Sequence, residues 1–146
     1  MQWFEDEAFW ETFYPFMFGE PKMAAAPAEV ERVLALSGVE GGRVLDLGCG
    51  PARHAVVLAQ NGFAVTGVDR SDFLLSKARE RTAGLDVELV RSDMRDFVRA
   101  GAFDLALSLF TSFGYFETRE EDLAVLRNVR ASLKQGGVLV MDVMSK

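Results

Sequence analysis

The stretch Arg43-Val44-Leu45-Asp46-Leu47-Gly48-Cys49-Gly50-Pro51 constrains this chain more than any other. An apolar run passes directly into a glycine pair and then a helix-compatible segment, which reads as a buried strand, a tight turn and a helix start. About twenty residues later, Val65-Thr66-Gly67-Val68-Asp69 reads as a second strand ending in a carboxylate. A parallel sheet would set these two strand ends side by side. The glycines would let backbone approach a ligand without a Cβ clash, and the helix start would offer unpaired N–H groups. The carboxylate would then lie where it can accept hydrogen bonds from both hydroxyls of a ribose.

The pattern continues to the end of the chain. Apolar runs at 43–47, 64–68, 87–90, 104–109 and 138–142 read as strands. They are continuous rather than alternating, as expected when helices cover both faces of a sheet. Helical patterns at 52–60, 72–81 and 119–134, and a short turn near 95–100, lie between them. Thr118 and Glu121 have capping-box spacing for the last helix, and Gly136-Gly137 would stop it. Upstream, Pro27 suits the first turn of a helix reaching Leu36, with Gly38 as its stop. Strand–helix alternation predicts right-handed crossovers and an α/β fold with a doubly wound, mostly parallel sheet.

The chain of 146 residues suits one domain. A helical, aromatic-rich cap is expected over 1–38 and a Rossmann-like core over 39–146. The cap holds Trp3, Phe4, Phe9, Trp10, Phe13, Tyr14, Phe16 and Phe18. Helical spacing places Phe9 with Phe13 and Trp10 with Tyr14 on one side, and Glu7 with Glu11 on another. Pro15 should end that helix. The segment either covers the core or forms a lid over a ligand site. A net charge of −6 argues against a broad nucleic-acid grip. No apolar run reaches the ~18 residues needed to span a membrane, and no signal peptide is evident. The single cysteine, Cys49, excludes an intrachain disulfide and favours a reducing, cytoplasmic setting.

Several residues could carry chemistry. A dinucleotide fingerprint would place its third glycine at position 53, which is Arg53, and Asp46 would repel a pyrophosphate. Asp46 could instead bind an ammonium group. Asp69 suits a ribose, or alternatively a turn ahead of Ser71. Asp93 could accept from an exocyclic amine such as that of adenine, or cap a short helix. His54, the only histidine, reads as a helix residue facing its neighbours. Cys49 reads as turn filling, since no basic partner adjoins it. Tyr14 and Tyr115 are equal candidates to line an acceptor pocket. No spacing suggests a metal site.

Residues 44–51, 67–71, 92–97, 103–109 and 133–142, in that order, resemble class I S-adenosylmethionine-dependent methyltransferases. The opening aromatics and 109–116 resemble a bacterial small-molecule subgroup. The resemblance implies strand order 3-2-1-4-5. It implies that Gly48 and Gly50 let the methionine part of S-adenosylmethionine lie against backbone, with Asp46 at its amino end. Asp69 would hold the ribose and Arg70 would pack beside the adenine. Asp93 and the Met94 backbone would address the adenine edge, and the Leu109 carbonyl would meet the ammonium. Ala52 stands where a glycine is frequent, at little cost if a helix simply starts there.

Aligning a sulfonium with a nucleophile needs no catalytic triad, and none is evident. Positions 110–113 lack the Asn/Asp-Pro-Pro-Tyr/Phe pattern of nucleobase or glutamine methylation, so a small-molecule acceptor is expected, its acceptor atom unread. The competing reading is a binding module of the same fold, because the chain stops after the fifth strand and lacks the usual C-terminal strand pair. A nicotinamide-dependent oxidoreductase is a distant third. The fifth strand, left at an edge, is expected to self-associate or to expose a sticky edge.

Overall fold

A computed structural model describes residues 7–17, 19–113 and 119–143. Two helices, α1 (Glu7–Met17) and α2 (Glu20–Ser37), precede β1 (Arg43–Leu47). Then follow α3 (Arg53–Gln60), β2 (Ala64–Asp69), α4 (Asp72–Thr82), β3 (Val87–Arg91), β4 (Phe103–Phe113), α5 (Arg119–Ser132) and β5 (Leu133–Val143). The strands form one sheet in the order β3-β2-β1-β4-β5, and every neighbouring pair is parallel. The doubly wound order is therefore as expected.

Both faces of the sheet are buried because successive strand residues point to opposite sides. Val44, Val65, Leu105 and Leu107 meet Val30 and Val33 of α2, Ala55 and Leu58 of α3, and Ala78 of α4. Leu45, Leu47, Val68 and Ala106 meet Phe97 and, from α5, Val125 and Val129. Burying each such side chain contributes roughly 1.5–3 kcal/mol. The outcome places four parallel strand ends, those of β1 to β4, along one edge, where a doubly wound sheet binds ligands.

Four local readings need correction. Helix α2 begins at Glu20, seven positions ahead of Pro27, with Pro21 near its N-terminus and Pro27 inside it. The buried Ala26, Val30 and Val33 anchor the helix on either side of the proline, and that packing overrides the lost hydrogen bond. With those contacts α2 packs on the core of the sheet. Pro15 lies inside α1, which continues to Met17.

Helix α5 ends at Ser132, and Leu133 already pairs with Phe103. Gly136 and Gly137 therefore serve a bulge in β5, where the register jumps between the Phe103–Leu133 and Leu105–Val138 pairs. Gly136 has φ 82°, and a Cβ on Gly137 would lie 2.9 Å from the Lys134 carbonyl oxygen. Strand β4 extends to Phe113, past a second register shift after Ser108. Thr118 lies outside the described residues, so its half of the capping box does too.

Ala52 is the fourth correction. It precedes α3 in a left-handed conformation, φ 71° and ψ 30°, and is the only non-glycine with positive φ among the described residues. That conformation costs an L-residue about 1–2 kcal/mol, so alanine is not simply a tolerated helix start. Its buried methyl, 0% exposed, offsets part of the cost. Ala52→Gly is expected to stay within about 1 kcal/mol of the parent, because relieved strain is balanced by a lost methyl contact and a more flexible unfolded chain. Ala52→Val should lose more than about 3 kcal/mol through β-branching at positive φ and overpacking. Urea denaturation of both variants checks the pair, and equal stability of Val and Gly would contradict it.

Candidate functional site

The turn after β1 is stitched to the end of β2. The Gly48 and Cys49 amides donate to the Val68 carbonyl at 2.7 and 3.0 Å, and the Gly50 amide donates to Asp69 Oδ2 at 2.9 Å. Gly48 and Gly50 have φ 72° and 55°, a region that glycine enters without penalty. Cys49 packs over Gly67, where a Cβ would come within 2.9 Å of Sγ. The thiol is buried, and burial, then Asp69 and Asp46, push it well above its usual range. It fills the turn as an inert group.

Asp46 and Asp69 form the electrostatic centre. Asp46 is 2% exposed, and its Oδ2 atom has no hydrogen-bond partner among the described residues. Burial first, then the neighbouring Asp69 charge, pushes its carboxyl up to about 7, against the pull of Arg53. Asp69 Oδ2 accepts from Gly50, and Oδ1 accepts from the Ser71 amide at 2.9 Å. Burial raises Asp69 as well; bonds from the Ser71, Gly50 and Arg70 backbone oppose this, and Glu7 adds to it. Asp69 thus shapes the turn before α4, one of the two roles read from the sequence, and stands at the β2 end beside the glycines. A carboxylate oxygen offers two lone pairs, so accepting these amides leaves it able to accept more.

Glu7 of α1 reaches this corner from 64 residues away. Its Oε2 accepts from Ser71 Oγ at 2.8 Å, and its Oε1 accepts from the Asp72 amide at 2.7 Å. A carboxylate here satisfies orphan N–H groups of α4 and meets the positive end of its dipole. Trp10 packs on Leu74, and Tyr14 meets the Phe73 ring edge-on at 5.6 Å. Arg81 donates to the Tyr14 hydroxyl at 3.2 Å. Helix α1 therefore runs along α4, with Glu7 at the site and Tyr14 further down the helix. The structure sets Tyr14 against α4 rather than together with the glycine turn.

On the next strand end, Asp93 is clamped by Arg95. The Arg95 amide and Nε donate to Oδ1 at 2.9 and 2.8 Å, and Nη2 donates to Oδ2. Arg70 Nη1 lies 3.8 Å from the same Oδ2. Burial pushes Asp93 upward, but the Arg95 hydrogen bonds and the Arg95 and Arg70 charges outweigh it and hold the carboxyl below its ordinary range. Asp96 and Phe97 amides bond back to the Asp93 carbonyl, giving the short turn expected there. Met94 packs into the α5-side core. Leu109 sits on β4 and packs against the opposite core.

His54 and Arg53 both bond Glu29 Oε1, at 3.0 and 2.9 Å. They lock α3 to α2, and burial, then Arg53, holds His54 below its ordinary pKa while Glu29 opposes. That is the neighbour-facing histidine expected. Tyr115 lies outside the described residues. Among the described residues no cluster of His, Cys, Asp and Glu could hold a metal. A cleft of about 580 Å³ between α5 and the start of β5 lies at the opposite end of the sheet from Asp46 and Asp69. Glu7 and Arg95 are the site residues that sequence reasoning missed.

A parallel sheet in the order 3-2-1-4-5, with a glycine turn after β1 and acids ending β2 and following β3, defines a Rossmann-like methyltransferase core. The methyltransferase domain family matches residues 44–137. This chain belongs to that family, in its class I S-adenosylmethionine-dependent form. It is 35% identical over 71% of its length to the cypemycin N-terminal methyltransferase of a Streptomyces species, covering 42% of that protein. It is 31% identical over 87% of its length to a Streptomyces venezuelae dTDP-3-amino-3,4,6-trideoxy-alpha-D-glucopyranose N,N-dimethyltransferase, covering 53% of it. Among solved structures, SAM-bound CalS10, an amino pentose methyltransferase from Micromonospora echinaspora, superposes with a TM-score of 0.76. The identity is 31%, over 93% of this chain and 56% of that one. The chain spans about half the length of the curated relatives it matches.

Proposed function

We propose that this protein binds S-adenosylmethionine along the β1–β4 strand ends and directs its methyl group to a small-molecule acceptor. The observation that carries this reading is the buried Asp46 Oδ2, unpartnered beside a glycine turn. A buried, unpaired carboxyl is costly, and an ammonium group is what it lacks. The residues fit the cofactor in other respects. Gly48 and Gly50 keep backbone close to the methionine end, and the Leu109 carbonyl would share the ammonium. Asp69 would hold the ribose, Arg70 would flank the adenine, and Asp93 with the Met94 backbone would face its edge. When bound, the cofactor supplies a sulfonium whose methyl group is already activated. The chain's own contribution is then alignment, which can account for ~7–11 kcal/mol of such a barrier.

The relatives named for N-methylation and for an amino pentose support a small acceptor. The lone cysteine supports a cytoplasmic setting, and among the described residues no helix is long and apolar enough to cross a membrane. Equilibrium binding of radiolabelled S-adenosylmethionine against NADH, then methyl transfer to a panel of small amines and phenols, tests the reading. Binding without transfer to any acceptor would return the binding-module alternative. Failure to bind would remove both.

Helix α1 serves as a cover hinged on Glu7 at the ribose corner, while its aromatic face stays on α4. Saturating S-adenosylhomocysteine is therefore expected to slow amide hydrogen exchange in 7–17, and Glu7→Ala should abolish that protection. Equal exchange with and without ligand would refute it. The β5 strand pairs with β4 alone among the described residues. Val138, Leu139, Val140 and Met141 form its apolar run, so association through this edge is expected. Light scattering at a monomer's mass over a wide concentration range would refute that.

A further inference from the structure

We infer that Arg95 is a positioning residue that fixes the Asp93 carboxylate for one base, adenine, and ties that choice to the start of α5. The inference deepens the cofactor reading above and rests on it. Asp93 Oδ1 already accepts two hydrogen bonds from Arg95, one from the amide and one from Nε. Those fill its lone pairs. Oδ2 accepts from Nη2 and keeps one lone pair, with Arg70 only at 3.8 Å. The fork geometry of guanidinium sets the carboxylate plane, which a lysine cannot do. The carboxylate is thereby left with a single acceptor direction, suited to one N–H of an exocyclic amine. An exocyclic carbonyl in the same place would meet a fixed negative charge.

Arg95 is itself held at two further points. Its Nη1 donates to Glu121 Oε2 at 3.0 Å, in the first turn of α5. Its carbonyl accepts from Asn128 Nδ2 at 2.7 Å, two turns further along that helix. Glu121 was read from sequence as half of a capping box, and here it anchors Arg95. Helix α5 follows directly on the segment after β4, where the acceptor side is expected. Adenine recognition and the placement of α5 are therefore built on one residue, Arg95, through its side chain and its carbonyl.

Calorimetric affinities for S-adenosylhomocysteine and S-inosylhomocysteine test this, since the two differ at the exocyclic group and in the hydrogen on the adjoining ring N1, and the Arg95 variants report the change in their ratio. The parent chain is expected to prefer the adenosyl compound by about tenfold or more. Arg95→Met should narrow the ratio to about threefold or less, and Arg95→Lys should not restore it. A merely structural arginine would lower both affinities together and leave the ratio intact, and that result overturns the inference. If Arg95→Met does not fold, Arg95→Lys decides, because it keeps a positive charge beside Asp93 and removes the fork that sets the carboxylate plane. A narrowed ratio supports the inference and an unchanged ratio overturns it. A parent chain that binds both compounds equally overturns it while the cofactor reading stands. A parent chain that binds neither overturns both.

Discussion

Asp46→Asn is expected to be more stable than the parent chain at pH 8 and to bind S-adenosylmethionine worse. The Asp46 carboxyl titrates near 7 in the folded protein, raised by burial and by Asp69 from an ordinary 3.8. A raised folded-state value means the fold prefers the neutral acid. Stability from this group is full below about pH 4 and is lost as pH rises through 7. The displacement sets a ceiling of about 4 kcal/mol, which local relaxation will reduce. We expect Asp46→Asn to recover about 1–3 kcal/mol at pH 8 and little at pH 4, read by urea denaturation.

Ligand binding should show the opposite trend. An ammonium group favours the ionised carboxylate, so affinity should rise about tenfold between pH 6 and pH 8 and release a proton near pH 7. His54 cannot supply this change, because burial and Arg53 hold it below its ordinary value. Asp46→Asn should flatten the profile. A pH-independent affinity in the parent chain would refute the assignment of Asp46 to the ammonium.

The core was legible in the sequence because its signals are local and mutually consistent. The β1 bounds 43–47 agree with the structure, and so does the order of all five strands. A continuous apolar run followed by glycines has few other solutions. The errors fall where one local rule met a stronger tertiary demand. Pro27 reads as a helix start, yet α2 passes through it because Ala26, Val30 and Val33 are buried on both sides. Gly136-Gly137 reads as a helix stop, yet it serves a bulge in β5. The Asp93–Arg95 pair had a local signal, an acid and a base two residues apart across a turn. Glu7 had none, because a carboxylate that caps a helix 64 residues away leaves no periodicity to find.

The Asp69→Asn variant carries the same logic to the ribose corner. Asp69→Ala would leave the Gly50 and Ser71 amides without acceptors, at about 1–3 kcal/mol each, so a binding loss there would mix with a loosened turn. Asparagine keeps the side-chain shape and one acceptor oxygen, so only one of the two amides loses its acceptor. Burial and Glu7 raise the Asp69 carboxyl, so neutralising it should relieve repulsion on Asp46 and offset part of that loss. It should also remove one charge-assisted hydrogen bond to a ribose hydroxyl, worth roughly 1.5–3 kcal/mol. We expect Asp69→Asn to melt closer to the parent than Asp69→Ala does at pH 8 and to bind S-adenosylmethionine at least about tenfold more weakly. A buried acid kept beside a second, half-buried one, with burial raising both, is what a ligand site tolerates and a core avoids. If Asp69→Asn binds equally well, the carboxylate is structural and the ribose assignment fails.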